Sequence, residues 1–405
     1  MFRGYLKEGP KHALNEFYGY REELSEVIGN LTSRRTVTAV LGPRRIGKTS
    51  LVLTAYAAAV TQGAAPPEST VLIHADFRGV NSRVAALHAV LNGYRASERI
   101  PTGNNAVRRY RDALLERILY EEHVTENAGI SAVIVKGGVS KTRVRKAVSE
   151  GLLEGFRDVF ELIEDVCSEK KLTCIVFLDE LHEIMGRLRG AKDEVPQTLA
   201  YAHDTLTHIR VVVSGSRIRL TESIIQHEEL IQRTSQIRMK PLTPRESHEL
   251  LRKAFTDHGV EYTDRVLEEG HRISGGVAGW LTEYGRRYVL SYHAYGEPLK
   301  ALSNAVEATL TMMKTACLEE LVELRRRLRG AATYTTALKI LDYVAKGIGK
   351  PTDLKRITGL STGTFNHIIK LLMKYDILTR NQKDKGVEYV IGDPAIAVYF
   401  RAETS

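Results

Sequence analysis

The stretch AVLGPRRIGKTSLV, residues 39–52, decides the fold of this 405-residue chain. It fits the phosphate-loop pattern G-x-x-x-x-G-K-[ST], in which two glycines are followed by Lys48 and Thr49. The β-branched run TVTAVLG (36–42) predicts a buried strand, and KTSLVLTAYAAAV (48–60) predicts a helix. A strand, a glycine-rich turn and a helix in this order form the context that the pattern requires for phosphate binding.

Length and composition predict a protein of two or three domains. The formal net charge of +9 favours a polyanionic partner, although charge alone leaves nucleic acid an open question. We expect a cytoplasmic protein with no membrane contact, because the apolar runs are short and MFRGYLKEGPKH (1–12) lacks a signal-peptide core. Three widely spaced cysteines, Cys167, Cys174 and Cys317, argue against a zinc site or a disulfide framework.

Four more apolar runs predict buried strands: TVLIHADFRG (70–79), LTCIVFLDE (172–180), IRVVVSGS (209–216) and SQIRMKPL (235–242). Helical patterns separate them, which is typical of a parallel sheet covered on both faces. The stretch ISAVIVKGGVSKTRV (130–144) differs, because two β-prone runs flank a Gly-Gly pair and predict a hairpin insertion.

The pattern changes twice after the fifth predicted strand. Residues 244–330 carry only helical patterns, and Thr243 is the expected N-cap of the first helix. Three helices and a two-stranded wing follow, which is the order of a winged helix-turn-helix. We therefore predict an ATPase-like core at 1–242, a helical lid at 243–330 and a winged helix at 331–405.

The predicted loop holds phosphate through backbone N–H groups and through the positive end of the following helix. Lys48 would reach the β- and γ-phosphates, and the Thr49 hydroxyl would ligate Mg²⁺. The predicted nucleotide-binding residues of this region are Gly42, Pro43, Arg44, Arg45, Ile46, Gly47, Lys48, Thr49 and Ser50.

Two adjacent carboxylates end the strand in CIVFLDEL (174–181). Asp179 suits a Mg²⁺ ligand that acts through water, and Glu180 is placed to polarise a water for attack on the γ-phosphate. Buried strands seldom end in two carboxylates, because each needs a partner. The pair favours hydrolysis over passive binding.

Polar residues at two further positions are candidates for contact with the attacking water or the γ-phosphate. Ser214 and Ser216 both end the next strand, and the sequence does not choose between them. Arg233 precedes the fifth strand and could reach the γ-phosphate of its own subunit or of a neighbouring one.

The motifs GPRRIGKTSLV, FLDELHEI, VVVSGS and LIQRTSQIRMKPLTPRESHELL, in this order, resemble the archaeal ATPase family, a branch of AAA+ P-loop ATPases within the STAND group. The resemblance implies a sheet of order 5-1-4-3-2, a helical lid, and ATP or ADP with Mg²⁺. It also implies adenine contacts from Gly19, Tyr20 and segment 275–279. The chain departs from the family pattern at Tyr20, where arginine is usual, and at Ala278, where proline is usual.

The last domain offers a second candidate surface. An apolar stripe that begins at Phe365 would pack inward and leave Asn366, Lys370 and Lys374 on the outer helix face, with Arg380 in the wing. These residues suit phosphate contact with DNA. The alternatives are an internal lock that senses the nucleotide and a docking site for an unidentified protein partner.

The leading hypothesis is an ATPase switch, in which ATP clamps the lid and winged helix onto the core and hydrolysis releases them. The alternative is an ATP-regulated DNA-binding protein of the initiator or regulator type. A third hypothesis, an oligomeric motor, would need Arg233 to act on a neighbouring subunit.

Overall fold

A five-stranded parallel sheet lies at the centre of the computed structural model, which describes residues 2–33, 37–99, 104–125, 141–149, 153–185, 187–328, 330–383 and 386–402. The strands are β1 (Val37–Leu41), β2 (Thr70–Asp76), β3 (Thr173–Asp179), β4 (Ile209–Gly215) and β5 (Thr234–Arg238). Their spatial order is β2-β3-β4-β1-β5, which confirms the predicted order 5-1-4-3-2 read from the other edge.

Helices cover both faces of the sheet. They are α1 (Arg21–Thr32), α2 (Lys48–Thr61), α3 (Arg83–Leu91), α4 (Asn104–Thr125), α5 (Lys141–Ser149), α6 (Phe156–Glu169), α7 (His182–Met185), α8 (Ala191–Thr205) and α9 (Ile218–Ile225). Successive residues of β3 point to opposite faces, so Val176 joins the apolar cluster with α3, α4, α6 and α8, whereas Phe177 joins the cluster with α1 and α2. Burial on both faces explains why β1 to β4 read as continuous apolar runs. The expectation of a buried fifth strand is wrong, because β5 lies at the edge of the sheet and Ile237 alone among its residues is buried.

The chain after β5 is helical, apart from a small antiparallel sheet that precedes the last described helix. The elements are α10 (Pro244–Asp257), α11 (Asp264–Ser274), α12 (Ala278–Tyr295), α13 (Pro298–Arg327), α14 (Ala331–Ala345), α15 (Pro351–Thr358), α16 (Thr362–Lys374), β6 (Leu378–Lys383), β7 (Gly386–Ile391) and α17 (Pro394–Ala402). Three helices followed by a two-stranded wing fit the predicted winged helix. The division at 242/243 and 330/331 stays a prediction.

Thr243 begins α10 as the sequence predicted. Its side chain accepts a hydrogen bond from the Glu246 N–H at 3.3 Å, and its own N–H donates to the Glu246 carboxylate at 2.8 Å. This reciprocal capping box satisfies two N–H groups that the first turn leaves open. The N-terminus of the predicted lid is therefore fixed by local sequence.

Two further sequence-based expectations need correction. Residues 130–140 of the predicted hairpin lie outside the described part of the chain, and residues 141–144 begin α5, where Val144 and Ala147 are buried one turn apart. The expectation of no disulfide is wrong, because Cys167 and Cys174 are joined across the turn between α6 and β3, with their Cα atoms 6.5 Å apart. None of the described helices is long and apolar enough to cross a membrane.

Gly276 is expected to be a critical position in the connection to α12. Its φ is +74°, and a β-carbon there would overlap the carbonyl oxygen of Leu242. Gly259 has a similar φ of +63° but nothing within 4 Å of the added carbon, which makes it a matched control.

We expect Gly259→Ala to lower the free energy of unfolding by roughly 1–2 kcal/mol through left-handed strain alone. Gly276→Ala adds an overlap worth roughly 1–3 kcal/mol more, and thermal unfolding of the two variants measures the difference. Equal melting temperatures would contradict this account of the connection.

Candidate nucleotide site

The phosphate loop follows β1 and ends where α2 begins at Lys48. Its backbone is left-handed at Arg45 (φ 64°) and Gly47 (φ 111°). The Lys48 side chain is 4% exposed, and its ammonium donates to the carbonyl oxygens of Gly42 at 3.1 Å and Pro43 at 3.2 Å. The carbonyl groups of Gly42 and Pro43 in the loop thus fix the position of the Lys48 ammonium. Burial lowers the pKa of Lys48, while the nearby carboxylates act to raise it.

Asp179 lies at the carboxyl end of β3 and is 1% exposed. Its carboxylate accepts hydrogen bonds from the hydroxyls of Thr49, at 2.7 Å, and Ser214. His74 on β2 stacks on Phe177, with ring centroids 4.7 Å apart, and its Nε2 lies 3.3 Å from the same carboxylate. Burial raises the pKa of Asp179, but the interactions with these three partners outweigh that effect and lower the pKa to about 2. The site therefore holds an ionised carboxylate behind the loop.

Glu180 turns away from the strand because its φ is +55°, a left-handed value that is uncommon outside glycine. Its carboxylate lies 3.9 Å from the Lys48 ammonium and accepts a hydrogen bond from the Ser216 N–H at 2.8 Å. Its own N–H donates to the Ser214 hydroxyl at 3.2 Å. The two serines have distinct surroundings: Ser214 is buried against both carboxylate residues, whereas Ser216 contacts Glu180 through its backbone.

The oxygen atoms of Thr49 and Asp179 fit a Mg²⁺ site. Within the described ranges no group of three or more His, Cys, Asp or Glu residues could hold a metal ion. The two oxygen donors of Thr49 and Asp179 suit Mg²⁺, which is commonly held by one or two protein oxygens and completes its coordination shell with water and substrate phosphates.

A cavity of about 430 Å³ extends from the loop towards α12, a volume within the range of ligand sites. Its lining includes Phe17 and Tyr20, which precede α1, and Ala278 and Gly279, which begin α12. The Tyr20 hydroxyl donates to the Lys240 carbonyl at 2.9 Å, which holds this side chain in place at the position where the resemblance implies arginine.

Gly19 does not line this cavity. It turns the chain at φ 76°, and a β-carbon there would lie 3.0 Å from the Leu242 side chain. A direct adenine contact from Gly19 is therefore not supported by the geometry. Its left-handed turn instead positions Tyr20, which does line the cavity.

The two loop arginines contact elements that follow the sheet. The Arg45 guanidinium lies 4.1 Å above the Trp280 ring, and the Arg45 carbonyl accepts a hydrogen bond from the Gly279 N–H at 2.8 Å. A β-carbon at 279 would lie 2.8 Å from that carbonyl oxygen, so glycine permits this close approach. Arg44 forms an ion pair with Glu320 on α13.

Arg233 lies at the other end of the sheet. Its carbonyl accepts from Val37 N–H at the start of β1, whereas the loop follows the last residue of that strand. Four residue steps along a strand span roughly 13 Å, and the guanidinium is paired with Asp204 at 2.8 Å. The possibility that Arg233 reaches the γ-phosphate of its own subunit is wrong; contact with a neighbouring subunit stays a prediction.

The predicted outer face of α16 is exposed. Asn366, Lys370, Lys374 and Arg380 line a groove between α16 and the wing, and Phe365 is buried beneath it, as the apolar stripe predicted.

His74 was missed by the sequence reasoning. The available signal was a polar residue in the apolar run TVLIHAD, two positions before the strand ends. Its role became visible only when the sheet register placed β2 beside β3, with Asp76 opposite Asp179.

Comparisons with known proteins agree with this geometry. A family model described as Novel STAND NTPase 1 matches residues 6–281. The structure of the Walker-type ATPase PABY2304 of Pyrococcus abyssi is similar, with 20% identity, a TM-score of 0.68, and coverage of 98% of this chain and 99% of that one. The Aeropyrum pernix ORC2 protein, in its ADPNP–ADP complexes, has 12% identity, a TM-score of 0.60, and coverage of 100% and 98%. None of the curated proteins matches.

At these identities the two structures show likeness of fold alone, and that fold is the AAA+ P-loop fold predicted from the motifs. The family match covers more than half of the chain and includes the loop, Asp179 and Glu180. It confirms the STAND assignment. This chain belongs to the Novel STAND NTPase 1 family.

Proposed function

We propose that the protein is a Mg²⁺-dependent ATPase that works as a molecular switch. One observation carries this proposal: Lys48, Asp179 and Glu180 converge at the edge of the sheet where the loop opens into the cavity. A loop alone would suit nucleotide binding, but a second carboxylate beside the lysine adds a group that can act on water.

The proposed reaction uses each side chain where it already lies. The loop N–H groups and the Lys48 ammonium bind the β- and γ-phosphates, and phosphate oxygens replace the loop carbonyls as acceptors for the lysine. Thr49 and Asp179 are the residues that would hold Mg²⁺, which when bound neutralises charge on the phosphate oxygens. The Glu180 carboxylate orients a water for attack, and the Ser216 N–H keeps that carboxylate aimed.

The switch part of the proposal depends on the loop arginines. Arg45 contacts Trp280 on α12, and Arg44 contacts Glu320 on α13. A change in loop geometry on binding or loss of the γ-phosphate would alter both contacts. We therefore propose that the nucleotide state shifts the position of the lid and of the helices that follow it.

Lys48→Ala should reduce ATP affinity at least roughly a hundredfold, because it removes two charge-assisted hydrogen bonds to phosphate. Binding of a fluorescent ATP analogue measures the change, and a melting curve confirms that the variant is folded. Lys346→Ala is the control, because Lys346 is paired with Asp342 at 2.7 Å on α14, away from the cavity. A folded Lys48→Ala protein with normal affinity would rule out the proposed loop function.

Glu180→Gln should leave ATP affinity close to that of the wild type while turnover falls by roughly 10²–10⁴, the usual contribution of a general base. Glutamine keeps an oxygen that can accept from the Ser216 N–H but cannot take a proton from water. Phosphate release under saturating ATP, with binding measured in parallel, separates the two effects. Unchanged turnover would show that another group polarises the water.

DNA binding by the winged helix is a second candidate function, favoured by the exposed groove beside Lys370, Lys374 and Arg380. Three cations along one groove suit the backbone of a duplex, and Asn366 on the same face can reach a base edge. Nothing in this proposal requires the nucleotide site to hydrolyse ATP.

If the groove binds duplex DNA, the log–log dependence of affinity on salt should have a slope near −2.7, about −0.9 for each of three phosphate contacts. Replacing both Lys370 and Lys374 with alanine should reduce the slope to about −0.9, whereas Lys346→Ala should leave it unchanged. Fluorescence anisotropy at several salt concentrations measures it. A wild-type slope near zero would exclude this function and leave the docking alternatives.

A further inference from the structure

The chain before α1 carries a lysine into the wall of the nucleotide cavity. The Lys11 N–H donates to the Ser50 hydroxyl at 3.0 Å, and the Lys11 carbonyl accepts from the Thr54 hydroxyl at 3.4 Å. Both backbone groups are thus fixed along the first two turns of α2. Lys11 is among the residues that line the cavity, and it is only 9% exposed. No motif that guided the sequence analysis includes this residue.

The Lys11 ammonium lacks a carboxylate partner among the residues with described side chains. It donates to the carbonyl of Lys7, while Glu16 is engaged by the Lys7 ammonium at 2.6 Å. Lys7 and Arg286 also place positive charge near Lys11. Each of them is itself paired with a carboxylate, Lys7 with Glu16 and Arg286 with Glu8. Burial lowers the pKa of Lys11 to about 8, and the negative charge of Glu16 opposes this shift. A buried cation in these surroundings is unfavourable unless an anion joins it.

We propose that Lys11 is a nucleotide-binding residue whose ammonium contacts the α-phosphate. The inference rests on the proposed nucleotide binding at the loop. There the β- and γ-phosphates lie against Lys48, and the base extends towards Tyr20 and α12. The part of the nucleotide between them passes the first turn of α2 at Ser50, to which Lys11 is bonded. The α-phosphate would give the Lys11 ammonium a direct anionic partner, because Glu16 is already paired with Lys7.

Lys11→Met tests the proposal, because methionine keeps an apolar stem of similar length and removes the charge. Affinity for ATP and for ADP should fall by the same factor, about tenfold or more, since both nucleotides carry the α-phosphate. Lys11→Arg, which keeps the cation, should recover most of the affinity. Lys346→Met is the control, because it makes the same substitution at an exposed lysine at the end of α14. Isothermal titration of the wild-type 405-residue chain and its three variants with ATP and with ADP gives the affinities to be compared.

The melting temperature of the nucleotide-free protein supplies a second test. Lys11→Met should melt at or above the wild-type temperature, because the substitution removes a buried charge that only a ligand balances. A clearly lower melting temperature would assign the lysine to the fold and overturn the proposal. Unchanged affinity for both nucleotides, or a loss confined to ATP, would also overturn it. Wild-type protein that binds neither nucleotide would instead refute the proposed function itself, so the two failures are distinguishable.

Discussion

The geometry of the site depends on one buried carboxylate and the donors that hold it. Asp179 has almost no access to water, so it must obtain hydrogen bonds from protein groups. Thr49, Ser214 and His74 supply them from the first turn of α2, the end of β4 and the body of β2. These contacts connect α2, β4 and β2 to one side chain at the carboxyl end of β3. In the sheet, β4 lies between β1, which precedes the loop, and β3, which carries the carboxylate. Ser214 at the end of β4 therefore lies between the two and hydrogen-bonds to Asp179.

The parts of this arrangement that the sequence predicted are those fixed by local pattern. The five strands, the loop, the cap at Thr243 and the buried stripe of α16 each follow from spacing within a few residues. Asp179 and Glu180 were identified because two carboxylates at the end of an apolar run are unusual. In each case the residue and its partners lie close together in the chain, or the parallel topology brings strand ends to one edge.

The features that sequence reasoning missed depend on how the elements are placed relative to one another in three dimensions. Cys167 and Cys174 meet because the chain reverses between α6 and β3, which spacing alone does not reveal. His74 acquires a role only through the register of β2 on β3. Arg233 was placed near the γ-phosphate from its position before β5, yet in a parallel sheet the start of a strand lies at the edge opposite the loop. The sequence already placed Arg233 before β5, so the parallel topology should have assigned it to the edge opposite the loop.

The N-terminal segment joins the two sides of the cavity. Leu6 is fully buried against Gly285 on α12, and the Tyr18 hydroxyl binds Glu249 on α10, so both ends of the segment lie on the predicted lid. Between them, Lys11 is bonded to Ser50 on α2. If the lid moved relative to the loop, this segment would have to break either its contact with α2 or its contacts with α10 and α12. In either case the segment makes the position of the lid and the shape of the cavity depend on each other, and this dependence is the property that a nucleotide-controlled switch requires.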